Sequence, residues 1–153
     1  MVGVPTEVKS NENRVAITPD ALRELTLAGV EVLVQAGAGD ASSFTDNEMA
    51  EAGARGVPTA ADIWGEADLV CKVKEPQPFE VELMRPGQLL FAFLHLAAYP
   101  DVAHALLERQ VSGLAYETVH TGNGNLPLLA PMSEVAGRLV PQIGAHFLER
   151  EHG

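Results

Sequence analysis

Four side chains that could bind or transform a small organic acid each follow a separate apolar segment of the sequence. They are Arg14, Lys74, His95 and Glu117. Lysine and arginine can hold a carboxylate, and arginine can do so through two parallel hydrogen bonds. A histidine that titrates near neutral pH can move a proton to or from a carbonyl oxygen or a hydroxyl group. Together these groups would suit a small keto acid or amino acid.

Each of these residues also has a purely structural interpretation. His95 could be a hydrogen-bonded structural histidine, and Glu117 could cap a turn. Arg14 could pair only with Glu12 or Glu7, and a lysine at the end of a strand is commonly solvated. The functional interpretation therefore depends on whether the fold brings the side chains to one place.

The elements that would position these residues are strands alternating with helices. The central strand is predicted in Gln88–Ala98, where Leu89–Leu94 is apolar on both faces and leads into His95. Such a run is typical of a parallel strand covered by helices on both sides. Further strands are predicted at about 1–5, 30–35, 67–73 and 113–116. The sequence thus predicts an α/β fold, a flavodoxin-like or Rossmann-like parallel sheet of about five strands with helices on both faces.

Helix start signals support the same fold. Thr18, Pro19 and Asp20 form an N-cap, a first-turn proline and an acidic first turn, and Gly29 ends the predicted helix. Further helices are predicted at about 46–53, 59–65, 80–84 and 100–109. In such a sheet the carboxyl ends of the parallel strands share one edge, where ligands bind. We therefore expect the candidate residues at that edge.

A long helix is predicted from Ser133 to about Arg150, with Ser133 as its cap. Pro141 lies inside it and is expected to kink it. An apolar row at a spacing of four predicts a face packed on the core. The row consists of Val135, Leu139, Ile143 and Phe147.

The segment Ala36–Ser43 begins like a dinucleotide-binding loop. Gly37 and Gly39 follow a predicted strand, but Ser42 stands where the fingerprint G-x-G-x-x-G has its third glycine. No helix begins directly behind the segment. A loop without a cofactor role is therefore favoured.

Composition limits the classes of partner. A net charge of −11 argues against nucleic acids and anionic membranes. No apolar run reaches the ~18 residues of a membrane span, and the start of the chain lacks the features of a signal peptide. Cys71 is the only cysteine, which favours a reducing cytoplasm.

The histidines show no metal-ligand spacing, so no metal site is predicted. They are His95, His104, His120, His146 and His152.

Six sequence blocks resemble the N-terminal, substrate-side portion of bacterial alanine dehydrogenase over nearly the whole chain. The blocks are VGVPTEVKSNENRVAITP, VLVQAGAG, DLVCKVKEP, LLFAFLHLA, LAYETV and LPLLAPMSEVAGRL. The related transhydrogenase α subunit shares the overall pattern, but it is expected to have KVNAP-like and FIWPA-like blocks. Here those positions read Lys72–Pro76, KVKEP, and Phe93–Ala97, FLHLA. The second lysine and the histidine favour alanine dehydrogenase.

The resemblance implies roles for individual residues. Arg14 would hold the carboxylate of pyruvate, Lys74 would contact the substrate and polarise its carbonyl, and His95 would be the acid/base. Met132 and Ser133 would line the cleft beside the nicotinamide of the cofactor, NAD. The implied reaction is the reversible oxidative deamination of L-alanine to pyruvate and ammonium.

The resemblance also implies a domain organisation. Residues 1–131 would form the substrate-binding α/β domain, and residues 132–153 a long helix leading to an NAD-binding Rossmann domain that the sequence lacks. We therefore expect the chain alone to be inactive, with a homo-oligomer in the full-length family. Two alternatives stay open, a transhydrogenase α-subunit-like domain and a non-catalytic module that binds keto acids or serves assembly.

Overall fold

A computed structural model describes residues 1–151, and the last two residues, His152 and Gly153, lie outside the described part. Six strands form one sheet in which every neighbouring pair is parallel. They are β1 (Val2–Val4), β2 (Val32–Gln35), β3 (Arg55–Val57), β4 (Leu69–Cys71), β5 (Leu89–Ala92) and β6 (Ser112–Ala115). Their order across the sheet is β3-β2-β1-β4-β5-β6. The predicted parallel α/β fold is confirmed.

The sheet has six strands where about five were predicted, and the additional one is the edge strand β3. It contains Arg55 and Gly56, both exposed, before the buried Val57. An edge strand of this kind carries no apolar run or alternation that a sequence pattern could show. Without it, the remaining strands have the order 2-1-3-4-5 of flavodoxin-like sheets, and with it the order is that of the Rossmann fold.

Five helices connect the strands, and local capping explains where three of them begin. The hydroxyl oxygens of Thr18, Thr45 and Thr59 each accept a hydrogen bond from a backbone N–H in the first turn. Such caps satisfy amide groups that have no partner within the helix. The helices are α1 (Pro19–Leu27), α2 (Asp46–Glu51), α3 (Ala60–Glu66), α4 (Pro78–Leu83) and α5 (Pro100–Glu108).

The sheet has a separate apolar cluster on each face. In β2, Leu33 belongs to one cluster, whereas Val32 and Val34 belong to the other. This division follows from the alternation of side chains along a strand. Trp64 is fully buried in the first cluster and Leu22 in the second. The prediction of helices on both faces is therefore confirmed.

The chain packs as two compact units, the first ending at Ala115 and the second beginning at Tyr116. The second unit contains a short 3-10 helix, Tyr116–Thr118, and a long helix, α6 (Ala130–Phe147). The domain boundary suggested by the resemblance, between residues 131 and 132, stays a prediction.

The predicted start of α6 was wrong. The helix begins at Ala130 with Leu129 as its N-cap, and Pro131 lies in its first turn. Ser133 is therefore inside the helix, where its hydroxyl donates to the carbonyl of Leu129 at 3.4 Å instead of capping. A first-turn proline loses no helical hydrogen bond and has a φ suited to a helix, so the helix can begin before the serine.

The predicted core face of α6 was also wrong. Val135, Leu139, Ile143 and Phe147 are exposed by 43% to 61%. Pro141 lies within the helix as predicted, and the kink expected there stays a prediction. The pattern identified the apolar side of the helix, but a pattern cannot show whether another element covers that side.

Candidate functional site

The sheet reverses its direction of growth between β1 and β4, which are neighbours in space but not in sequence. In open α/β sheets, ligands bind beyond the carboxyl ends of the strands at such a point. Arg14 lies in the loop that follows β1, Lys74 lies in the segment after β4, and His95 follows β5, the next strand along. The structure thus places the three candidate residues after three adjacent strands, and their roles stay predictions.

Arg14 pairs with Glu12, one of the two structural partners considered for it. Its Nε and Nη2 atoms lie 2.8 Å and 2.6 Å from the two carboxylate oxygens, and its backbone N–H donates to the same carboxylate. The side chain of Glu12 is 6% exposed and that of Arg14 is 40% exposed. A two-point pair fixes the plane of a guanidinium. The pair therefore orients Arg14 while leaving part of it accessible.

The carboxylate of Glu12 interacts electrostatically with both Arg14 and Lys74. The hydrogen bond from Arg14 is the main cause that lowers the pKa of Glu12, and the charge of Lys74 contributes further to the lowering. The same hydrogen bond raises the pKa of Arg14, and the Glu7 carboxylate adds to that rise. The charges of both candidate cations, Arg14 and Lys74, thus act on the carboxylate of Glu12 in the loop after β1.

Glu7 connects the loop after β1 with the segment after β4. One of its carboxylate oxygens accepts the backbone N–H of Val73 at 2.6 Å and that of Lys74 at 3.4 Å. Its other oxygen lies 3.2 Å from the ammonium of Lys72. Burial raises the pKa of Glu7, although Lys72 and the N–H of Val73 oppose the rise.

Lys72 is fully buried and lies between two carboxylates. Besides Glu7, its Nζ atom is 2.9 Å from Oε1 of Glu80, a fully buried residue of α4. The other Glu80 oxygen accepts the N–H of Gln77 at the start of that helix. Sequence analysis missed this role of Lys72. A signal was available, because in the predicted strand 67–73 alternation places position 72 on the same side as Val70, which lies in an apolar run.

His95 lies beyond the end of β5, which stops at Ala92 rather than continuing to the histidine. The residue is exposed and has a φ of +47°, an uncommon conformation for a residue other than glycine. Its carbonyl accepts the N–H groups of Ala98 and Tyr99 at 2.8 Å and 3.1 Å. A tight turn therefore presents the imidazole, which does not lie in the apolar core.

Aromatic and charged neighbours surround this turn. The ring of His95 lies 6.0 Å from that of Phe93 and 6.5 Å, edge-on, from that of Tyr99. The Lys9 ammonium pairs with the buried carboxylate of Glu75 and lies 3.4 Å from the Tyr99 hydroxyl. The hydrogen bond to Glu75 is the main cause that raises the pKa of Lys9. The loop after β1 thus also contacts the turn that carries the histidine.

The glycine segment after β2 does not fit a dinucleotide. A Cβ atom at Gly39 would lie 2.6 Å from the Phe44 carbonyl oxygen, so the backbone there is already covered. The N–H of Gly37 donates to the Asp46 carboxylate at 2.8 Å, and the Asp40 carboxylate lies close by. These carboxylates would repel a pyrophosphate. The interpretation of this segment as a loop without a cofactor role agrees with these contacts.

The remaining candidates lie in the second unit. Met132 is in the first turn of α6 and is 40% exposed, and Ser133 follows it. Glu117 lies in the 3-10 helix Tyr116–Thr118. Their proposed positions beside a cofactor or substrate stay predictions.

Within residues 1–151, no group of three or more histidine, cysteine, aspartate or glutamate side chains is placed to hold a metal ion. No helix in that part of the chain is both long and apolar enough to cross a membrane.

Comparisons with known proteins agree on one family. The alanine dehydrogenase of Mycobacterium tuberculosis strain H37Rv is 57% identical over 152 residues, which cover 99% of this chain. That of Geobacillus stearothermophilus is 52% identical over 153 residues. The chain spans 41% of the length of each of these two relatives.

Solved structures give the same result. An L-alanine dehydrogenase structure superposes with a TM-score of 0.93 at 47% identity, covering 99% of this chain and 42% of that one. The structure of transhydrogenase from Sinorhizobium meliloti superposes with a TM-score of 0.72 at 33% identity, covering 76% of this chain and 33% of that one. Residues 3–136 match the family model described as "Alanine dehydrogenase/PNT, N-terminal domain". The chain therefore belongs to the alanine dehydrogenase/PNT N-terminal domain family.

Proposed function

We propose that this chain is the substrate-side half of an NAD-dependent alanine dehydrogenase. The observation that carries the proposal is the position of Arg14, Lys74 and His95 after three adjacent strands, at and beside the point where the sheet reverses. The balanced reaction is L-alanine, NAD⁺ and water giving pyruvate, ammonium, NADH and a proton. Its substrates are small anions or zwitterions, which suit a site with two cations and one imidazole.

Arg14 binds the substrate carboxylate. Its guanidinium is held in one plane by Glu12 and remains 40% exposed. Arginine has five N–H donors, so it can serve a second carboxylate beside the first. A pre-oriented guanidinium loses little freedom when a ligand binds, and this favours affinity.

Lys74 and His95 act at the reacting carbon. The ammonium of Lys74 contacts the oxygen of pyruvate and polarises the carbonyl. In the direction of deamination, hydride leaves Cα of alanine, and water then attacks the imine carbon. His95 takes a proton from this water, and in the reverse direction it returns a proton to the oxygen. The turn after β5 presents the imidazole outside the core, as a proton carrier requires.

Bound NAD⁺ supplies the hydride acceptor. The described residues after β2 do not fit its pyrophosphate, because carboxylates and packed backbone occupy that segment. Met132, half-exposed at the start of α6, offers an apolar thioether for the nicotinamide ring, with Ser133 beside it.

Hydride transfer needs the nicotinamide fixed against the substrate carbon. Residues 1–153 alone are therefore proposed to be inactive, and a cytoplasmic homo-oligomer is proposed for the full-length protein.

Calorimetric titration of pyruvate into the purified chain tests the substrate site. We expect Arg14→Ala to weaken binding by at least about tenfold, because it removes a charge-assisted contact to the carboxylate. Arg23→Ala is the matched control, since Arg23 pairs with Asp20 on the exposed side of α1. Equal affinities of the wild type and Arg14→Ala would remove Arg14 from the site. Robust oxidation of NADH with pyruvate and ammonium by residues 1–153 alone would overturn the proposed inactivity.

The likeness to a transhydrogenase structure supports a second candidate, a transhydrogenase α-subunit-like domain. Such a domain has no need to bind a keto acid at Lys74 and His95. Pyruvate binding that depends on both side chains would exclude it. A chain that binds no keto acid would favour this alternative or a non-catalytic assembly module.

A further inference from the structure

Glu7 lies at the centre of a buried ionic network between two loops that the proposed site uses. Its side chain is 4% exposed, although it carries a carboxylate. Burying a carboxylate costs free energy unless charges and hydrogen bonds compensate. The partners of Glu7 therefore show how its burial is compensated and which segments it connects.

The partners belong to the segment that follows β4. One oxygen accepts the adjacent N–H groups of Val73 and Lys74, and the other lies 3.2 Å from the ammonium of Lys72. These three successive residues lie 65 to 67 positions along the chain from Glu7. One side chain thus fixes the backbone of this segment relative to the loop after β1.

Lys72 makes the arrangement possible. Its ammonium is fully buried between the carboxylates of Glu7 and Glu80, so it compensates the charge of both. Glu80 in turn caps the start of α4 through the N–H of Gln77. The network thus connects the loop after β1, the segment after β4 and helix α4 through direct contacts.

The loop after β1 that carries Glu7 also carries Arg14, and the segment after β4 carries Lys74. We infer that Glu7 is a positioning residue, which sets the place of the Lys74 ammonium relative to the Arg14 guanidinium so that one small keto acid can contact both. The inference rests on the proposed function. Glu7 itself is not placed to touch the substrate, because its side chain is 4% exposed and both of its oxygens already contact protein partners.

The role predicts a selective effect on ligands. Pyruvate and propionate both present a carboxylate to Arg14, but only pyruvate has a keto oxygen for Lys74. If Glu7 positions Lys74, its loss affects pyruvate and leaves propionate almost unchanged. A general loosening of the domain would weaken both ligands.

The experiment measures dissociation constants of both ligands for the whole chain by calorimetry. Glu7→Gln keeps an oxygen acceptor but removes the charge, and we expect about tenfold weaker pyruvate binding with little change for propionate. Glu82→Gln, an exposed glutamate on α4, is the matched control and should bind like the wild type. If Glu7→Gln does not fold, Glu7→Asp keeps the charge beside Lys72 but shortens the reach to the two N–H groups, and an intermediate loss is expected.

A double-mutant cycle separates positioning from general structure. In a Lys74→Met background, adding Glu7→Gln should cause no further loss of pyruvate affinity, because the group it positions is already gone. A further loss of the same size, or an equal loss for propionate, would overturn the inference.

Amide hydrogen exchange distinguishes failure of the inference from failure of the proposed function. If the wild type binds no pyruvate, the proposed function fails, yet the arrangement around Glu7 can still be judged. We expect Glu7→Ala, which removes both acceptor oxygens, to speed exchange at the amides of Val73 and Lys74, while Val70 in β4 stays protected. Unchanged exchange at residues 73 and 74 would show that Glu7 holds nothing there, and would refute its positioning role directly.

Discussion

In the first unit the central strands send their side chains into two closed clusters, whereas in α6 an equally regular apolar row remains open to solvent. Leu90 of β5 is fully buried, and Leu139 of α6 is 43% exposed. Both residues stand in clear apolar patterns. The difference teaches that a pattern selects the apolar side of an element, while burial needs a second element to cover that side.

The two regions also differ in whether their charged side chains are buried. The first unit buries Lys72 with two glutamates, whereas at the end of α6 the His146 imidazole and the Glu149 carboxylate lie 3.9 Å apart with both side chains more than half exposed. Exposed pairs contribute little to stability, while a broken buried pair is costly. Substitutions in the two regions should therefore differ in size.

The largest effect is expected from Lys72→Met. Removing the ammonium leaves the carboxylates of Glu7 and Glu80 buried without their cation, so we expect a loss of about 3–5 kcal/mol in the free energy of unfolding near neutral pH. Urea denaturation measures it. Arg23→Met, which removes an exposed cation from α1, is the control and should cost less than about 1 kcal/mol.

The same variant has a defined pH dependence. The folded-state pKa of Glu7 is already raised, and loss of Lys72 removes a group that lowers it. A carboxyl group with a raised folded-state pKa destabilises the fold when it is ionised, so the deficit should shrink as pH falls through the raised pKa. A deficit that grows on acidification would contradict this account of the network.

An intermediate effect is expected from truncating a buried leucine of the first unit, compared with an exposed leucine of α6. Leu90→Ala should cost about 2–5 kcal/mol, because it leaves a cavity in a closed cluster. Leu139→Ala removes the same atoms from a half-exposed position and should cost less than about 1 kcal/mol. Denaturation of both variants under one set of conditions gives the comparison. Equal losses would mean that α6 is covered in solution.

The smallest effects are expected from adding one methyl group in each region. A Cβ atom at Gly3 would lie 2.7 Å from side-chain atoms of Ala67 and Ile63, so Gly3→Ala should destabilise β1 against α3 by about 1–3 kcal/mol. At Gly137, inside α6, a Cβ atom meets nothing within 4 Å. Gly137→Ala should therefore stabilise the helix by up to about 1 kcal/mol, measured as helicity by circular dichroism. A destabilised Gly137→Ala would show that another surface packs closely against α6.

Local patterns predicted most of the fold. The predicted cap at Thr18 and the predicted helix starts near residues 46 and 59 agree with the structure, because a capping hydroxyl and its N–H partners are within three residues of each other. The motif blocks pointed to Arg14, Lys74 and His95, and the order of the strands placed these residues after neighbouring strands. Strand β3 escaped prediction because a short edge strand with arginine and glycine carries no apolar signal.

The sequence by itself determined the alternation of strands and helices, the family, and the residues whose chemistry suits a keto acid, because each of these is encoded in residues close together along the chain. Only the tertiary structure decided that Glu7 meets Lys72 and Lys74, that Arg14 is oriented by Glu12 while part of it stays exposed, and that the apolar face of α6 lies open. The physical reason is distance along the chain. Contacts across some 65 residues and the presence or absence of a covering surface depend on how whole elements pack, and no local pattern records that.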